Sequence, residues 1–266
     1  GSSSAIAKSV FDALGAKTYV INNEPNGTNI NTNCGSTHIG VLQQYVKEKG
    51  LDVGFAYDGD ADRLIAVDDK GNIVDGDLII SVIAKSFQEK GILNSDKVVT
   101  TVQSNMGFEK HLDKNGIGLI RANVGDRYVL EKMKEHGLNL GGEQSGHIIM
   151  LDYNTTGDGV LSSIQLVAAI KESGKKLSEL VEDVKLWPQK LVNTVVSREK
   201  KQTWTENKEL IDFIKQKEKE IEGKGRILVR ASGTEPLIRV MVEGETQETV
   251  DTYIEALVGK VKELLL

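Results

Sequence analysis

Two apolar rhythms run along the chain. Short β-rich runs at "TYVIN" (18–22), "DVGFAY" (52–57), "LIAVDD" (64–69) and "KVVTTV" (97–102) predict strands. Between them the apolar period lengthens to that of a helix. Ile6, Val10 and Leu14 recur at helical spacing and stop at Gly15. A second helix is expected from Ser36, as its cap, to Lys49 before Gly50, and a third runs from an Asp77 cap to Lys90. Further helices are predicted over 105–115, 125–136 and 158–173, with strands at "GLIRAN", "LNLGG" and "HIIML" and a hairpin turn at "DDKGN" (68–72). Such alternation predicts an α/β fold with mixed, mostly parallel sheets.

The rhythm changes near "DVKLWPQK", where Pro188 interrupts. The order becomes strand, helix, strand, strand, helix, and the helix at 207–222 is rich in lysine and glutamate. This predicts a small C-terminal α+β domain. The expected divisions are 1–75, 76–186 and 187–266. A chain that opens directly on a helix, with no strand before it, is expected to be part of something longer.

Composition adds limits more than detail. With 39% apolar and 27% charged residues, the 266-residue chain has the make-up of a soluble globular protein. A net charge of -6 argues against nucleic acid or anionic membrane as partner, and "LIISVIA" is far too short to span a bilayer. Cys34 is the single cysteine, so an internal disulfide is excluded and a reducing cytoplasm is the expected compartment. An acidic protein that handles anions needs local basic pockets.

Three stretches carry the chemistry. In "DGDADR" Asp58, Asp60 and Asp62 alternate at a strand end, followed by Arg63. Carboxylates packed this closely repel, and a hard cation such as Mg²⁺ would compensate them. A calcium EF-hand fits the first ligand positions, but Arg63 stands where its glycine is needed and the flanks read as strands. A solvated acidic turn is the plainer alternative.

"GGEQSGHI" places Glu143, Ser145 and His147 among glycines that let backbone approach a ligand. A glutamate accepting from two hydroxyls suits a sugar, although a polar turn satisfying its own backbone fits equally well. In "VRASGTEPLIRV" Arg230 can grip a phosphate bidentately, with Ser232, Gly233 and Thr234 offering hydroxyls and N–H groups to the same anion. There the alternative is a hairpin whose arginine pairs with a neighbouring carboxylate.

"NVGDRYVLEKM" brings Asp126 and Arg127 to a helix start, which favours anions but also reads as a cap and a surface arginine. "TTGDGVL" (155–161) reads as a helix start. Cys34 and His38 lack a third group to make a nucleophile.

Taken in order, "DGDADR", "GEQSGH" and "RASGTEP" resemble the alpha-D-phosphohexomutases, and the resemblance covers essentially the whole chain. Gln144, "NNEPNGTNINTNCGSTH" and "VGDRYV" resemble the glucosamine-phosphate branch of that family. The resemblance implies four domains around one cleft. It also implies interconversion of glucosamine 6-phosphate and glucosamine 1-phosphate through a phosphoserine and a bisphosphate intermediate, with a homodimer among the assemblies of the full-length protein. The alternatives are a mannose- or glucose-phosphate mutase, or a non-catalytic sugar-phosphate-binding fragment.

By the same resemblance, Asp58, Asp60 and Asp62 hold Mg²⁺, with Arg63 in support. Glu143, Ser145, His147 and Arg127 face the sugar phosphate, and Arg230, Ser232, Gly233, Thr234 and, more distantly, Arg239 take its phosphate. No serine here matches the family's phosphoserine loop, so these residues alone are expected to lack turnover. In those terms 1–75 is an incomplete second domain, 76–186 the third and 187–266 the fourth.

Overall fold

The computed structural model describes residues 1–266, and its contacts divide the chain once, between Lys185 and Leu186. The first unit begins with helices α1 (Ala7–Ala13) and α2 (Gly40–Lys49). Strands β1 (Gly54–Tyr57), β2 (Leu64–Val67) and β3 (Ile73–Val74) then form an antiparallel meander. The register pairs Tyr57 with Leu64, so the acidic stretch is the connection of a β-hairpin.

Two expectations fail in this region. "TYVIN" forms no strand: a strand exists only through a ladder, and β1, on the edge of its sheet, pairs with β2 alone. Helix α2 opens at Gly40 and not at Ser36, whose N–H donates to the Tyr57 carbonyl at 3.1 Å. That bond holds the preceding loop against the end of β1.

Helix α3 (Gly76–Glu89) is buried from Gly76 to Ala84, with Phe87 buried as well. Ile79, Ile80 and Ile83 are fully buried, each contributing about 2 kcal/mol by removal from water. They share one core with Leu64 and Ala66 of β2, Val98, Leu140 and Leu166. A helix buried on every side from Gly76 to Ala84 must be covered on every side, so it joins the meander to the next sheet within one unit.

Asp75 caps α3, accepting from Leu78 N at 3.1 Å. Asp77, expected in that role, is fully buried and accepts from Asn105 N at 2.7 Å. In "VDGD" both aspartates suit a cap, and tertiary packing chose between them.

Burial, and then the charge of Asp75, push the Asp77 carboxyl from its ordinary 3.8 up to about 7. Over that interval the folded protein keeps a proton that the unfolded chain has lost. Stability contributed by this group therefore falls as pH rises from about 4 to about 7. Asp77→Asn is expected to flatten that dependence while its amide oxygen still accepts from Asn105. Denaturation midpoints at about pH 4.5 and about pH 7.5 check this; an unchanged pH difference between wild type and variant refutes it.

The second sheet comprises β4 (Lys97–Thr101), β5 (Gly118–Ala122), β6 (Leu140–Gly142) and β7 (Ile148–Met150), in the order β5-β4-β6-β7. Strand β4 lies parallel to β5 and β6, and β7 returns antiparallel to β6. Parallel pairing is thus confined to this sheet, where α4 (Met106–Lys114) and α5 (Asp126–His136) form the crossovers. Helices α6 (Gly159–Ser173) and α7 (Leu177–Leu180) complete the unit.

The second unit, Leu186–Leu266, has the expected order. Strand β8 (Gln189–Val195) is followed by α8 (Arg198–Thr203) and α9 (Lys208–Ile221). Strands β9 (Gly225–Ala231) and β10 (Leu237–Gly244) and helix α10 (Gln247–Leu265) complete it. Strand β10 is central in the antiparallel order β8-β10-β9. The lysine- and glutamate-rich α9 buries only Leu210, Ile214 and Ile221, while α10 buries Val250, Ile254, Leu257, Val261 and Leu265.

Candidate functional site

The hairpin connection 58–63 is wound tightly. Ala61 N donates to the Asp58 carbonyl at 3.3 Å, and Arg63 N donates to Asp58 Oδ1 at 3.1 Å. Ala61 takes a left-handed φ of 62°, a conformation unfavourable for an L-residue with a Cβ. The turn brings ligand oxygens of Asp58, Asp60 and Asp62 within 4.8 Å of one another. Charge compensation within the protein is thin: Arg63 Nε is 3.8 Å from Asp58 Oδ2, with 45% of its side chain exposed.

Burial, then Asp58 as neighbour, push the Asp62 carboxyl up to about 6. Asp62 Oδ1 is buried with no hydrogen-bond partner. A buried, unsatisfied oxygen amid converging carboxylates fits a hard divalent cation with oxygen ligands. The donor set therefore suits Mg²⁺. The strand flanks and Arg63 leave no EF-hand geometry.

The hairpin joining β6 and β7 carries Glu143, Gln144, Ser145, Gly146 and His147. It is anchored on several sides. Arg63 and His147 form a β-bridge, and Leu64 N donates to Gly146 O at 3.0 Å. Gly76 N at the start of α3 donates to Gln144 O at 3.0 Å, and Gln144 Nε2 donates to Asp75 Oδ2 at 3.2 Å. Glu143 Oε1 accepts from Gly125 N at 3.1 Å, which ties in the loop after β5. The acidic loop and the polar hairpin are therefore joined in one hydrogen-bonded assembly.

Within it, Glu143 is half-buried and Ser145 exposed. His147 is only 3% exposed, and its Nε2 lies 3.5 Å from Asp62 Oδ2. The same nitrogen lies 3.2 Å from Gly157 N, within hydrogen-bond reach of that N–H. Arg127 lies apart from this network: 81% of its side chain is exposed, paired with Glu131 at 2.8 Å. Gly125, not Asp126, is the cap residue of α5, and no side chain caps that helix.

In the second unit Arg230 on β9 faces Arg239 on β10 across the ladder. Like charges directly opposite are unfavourable, and burial followed by Arg239 lowers the Arg230 guanidinium below its ordinary value. Arg239 is partly neutralised, donating to Glu235 Oε2 at 3.0 Å and to Ser232 Oγ at 3.2 Å. The neighbouring carboxylate thus pairs with Arg239, while Arg230 has no ion pair of its own. Ser232 is 2% exposed, whereas Gly233 and Thr234 are exposed at the turn. Two facing guanidiniums with one weak counter-charge suit a doubly charged anion.

Local reading missed how residues 157–159 meet the acidic loop, and missed the Asp75 and Gln144 pair. A signal was present in "GDG": glycines flanking a cap residue admit close backbone approach.

The first, α/β unit thus carries a carboxylate hairpin locked to a polar hairpin, and the small α+β unit carries a paired-arginine turn. Models of the phosphoglucomutase/phosphomannomutase family match alpha/beta/alpha domain II over residues 1–71, alpha/beta/alpha domain III over 75–187 and the C-terminal domain over 191–260. The chain belongs to that family.

A phosphoglucosamine mutase of Fusobacterium nucleatum is 55% identical over 255 residues, which is 96% of this chain and 56% of that protein. The chain thus spans little more than half the length of that relative. A phosphoglucomutase/phosphomannomutase family protein from Burkholderia thailandensis shares the fold with TM-score 0.80 at 20% identity, over 99% of this chain and 58% of that one. N-acetylphosphoglucosamine mutase of Aspergillus fumigatus, in complex with GlcNAc-6P and magnesium, superposes with TM-score 0.70 at 22% identity, over 88% of this chain and 53% of that one. No helix here is long and apolar enough to cross a membrane.

Proposed function

We propose that these residues are the metal-, sugar- and phosphate-handling domains of a phosphoglucosamine mutase, divided as 1–75, 76–186 and 187–266. The observation that carries this reading is the union of the carboxylate triad and the glutamate hairpin through the Arg63 and His147 bridge. Asp58, Asp60 and Asp62 are the ligands of Mg²⁺. When bound, the metal would neutralise charge on a phosphoryl group in transfer.

The chain's own groups divide the remaining work. Glu143, its free oxygen still able to accept, and exposed Ser145 read sugar hydroxyls. Arg230, Ser232, Gly233 and Thr234 grip a phosphate, supported by Arg239. Phosphoryl transfer depends on position and charge more than on covalent help from the protein. The serine that would donate the phosphoryl group is not among these 266 residues. On this reading the full reaction, from glucosamine 6-phosphate to glucosamine 1-phosphate by way of the bisphosphate, also requires that phosphoserine.

Calorimetric titration of the chain with glucosamine, glucose and mannose 6-phosphates, in Mg²⁺, tests the reading. Glucosamine 6-phosphate is expected to bind tightest, and tighter mannose 6-phosphate binding refutes the substrate assignment. Arg230→Ala should weaken binding by about tenfold or more through loss of a charge-assisted hydrogen bond. In a coupled assay with sugar bisphosphate the chain is expected to show no turnover, and robust turnover overturns the division of labour.

A further inference from the structure

The stretch "TTGDGVL" opens α6, yet its glycines do more than start a helix. Gly159 N donates to the Ala61 carbonyl at 2.9 Å, inside the acidic loop and between Asp60 and Asp62. Gly157 N donates to His147 Nε2, on the ring that lies against Asp62. Asp158 between them caps α6 by accepting from Leu161 N at 2.9 Å.

The approach is too close for any other residue. A Cβ on Gly159 would lie 2.6 Å from Arg63 O, 2.9 Å from Tyr57 Cδ1 and 3.0 Å from Ala61 O. A Cβ on Gly157 would lie 2.5 Å from the His147 ring and 2.8 Å from Asp62 O. Neither glycine has a positive φ, so what these positions need is space. On the next turn of α6, Ser163 Oγ lies 2.8 Å from Tyr57 Oη, at the strand end from which the loop departs. Helix α6 therefore grips the loop at its base and at its middle.

We propose that Gly157, Gly159 and Ser163 are positioning residues for the metal loop. They touch no metal. They hold Ala61 in its left-handed conformation and fix the spacing of the flanking aspartates. Groups that orient metal ligands commonly matter by about 10- to 100-fold in affinity.

This rests on the metal reading of Asp58, Asp60 and Asp62, and the test separates the two. Mg²⁺ binding is measured by calorimetry, and amide exchange over 58–63 is measured in metal-free protein. Wild type, Gly159→Ala, Ser163→Ala and Asp60→Asn are compared. Gly159→Ala is expected to weaken Mg²⁺ by about tenfold or more, and Ser163→Ala by about threefold, each with faster exchange of the loop amides. If Gly159→Ala does not fold, Ser163→Ala decides alone.

Unchanged loop exchange in the folded α6 variants overturns the proposal whatever the metal does. Unchanged Mg²⁺ affinity in those variants, with binding lost in Asp60→Asn, also overturns it. Faster loop exchange in the α6 variants, where wild type binds no Mg²⁺ or Asp60→Asn binds it normally, would show a clamp that is structural only. In that case the metal reading fails and the role assigned to the clamp falls with it.

Discussion

Asp62→Asn is expected to move stability in opposite directions with and without Mg²⁺. Asp58, Asp60 and Asp62 place oxygens within 4.8 Å of one another, and the groups set against them are a half-exposed Arg63, 3.8 Å from Asp58, and His147, 3.5 Å from Asp62. Without metal these charges repel, and the buried Oδ1 of Asp62 has no partner. Asparagine removes one charge at nearly constant volume, so the variant should melt higher than wild type in chelator. With Mg²⁺ the order reverses, because a charged ligand has been lost and affinity should fall on the order of a hundredfold. Ligand-linked stabilisation grows with the logarithm of concentration over Kd, so wild type gains more from added metal. Melting curves in chelator and in millimolar Mg²⁺ check both signs. A variant that melts lower in chelator, or that binds Mg²⁺ as wild type does, contradicts the compensation argument.

Gly146→Ala should be the most disruptive small substitution in the first unit. Gly146 has φ 93°, and an added Cβ would sit 2.1 Å from Leu64 O and 2.8 Å from Leu64 C. Those atoms belong to the strand that follows the acidic loop, and Leu64 N donates back to Gly146 O. A backbone wall cannot rotate aside. The positive φ costs about 1–2 kcal/mol for an L-residue, and forced repacking about 1–3 kcal/mol more. A total near 3 kcal/mol corresponds to a loss of roughly 10 °C in melting temperature for a unit of this size.

Gly174→Ala supplies the comparison. Gly174 also has a positive φ, of 66°, but no atom lies within 4 Å of its added Cβ. It should show only the conformational part, about 1 kcal/mol. Equal losses in the two variants would mean that hairpin contact contributes nothing.

The candidate site was legible wherever its chemistry lies in neighbouring residues. "DGDADR", "GEQSGH" and "RASGTEP" each pack charge, hydroxyls and glycine into a few positions, and the structure presents each as a turn between paired strands. Local patterning also indicated most helices, since apolar period and capping residues are short-range signals. It misread the α3 cap because Asp75 and Asp77 are locally equivalent, and only packing sends Asp77 toward Asn105. It assigned a strand to 18–22 because β-propensity cannot report whether a ladder partner exists.

By itself, the sequence determined the alternating α/β order, the three candidate loops and the residue types each can offer a ligand. Tertiary structure alone decided which loops act together. The contact of Gly159 with Ala61, of His147 with Asp62 and of Gln144 with Asp75 joins segments far apart in the chain. Each such contact depends on how α3 and α6 pack against the meander and the second sheet. Periodicity records which face of an element is apolar, but not which other element will cover it.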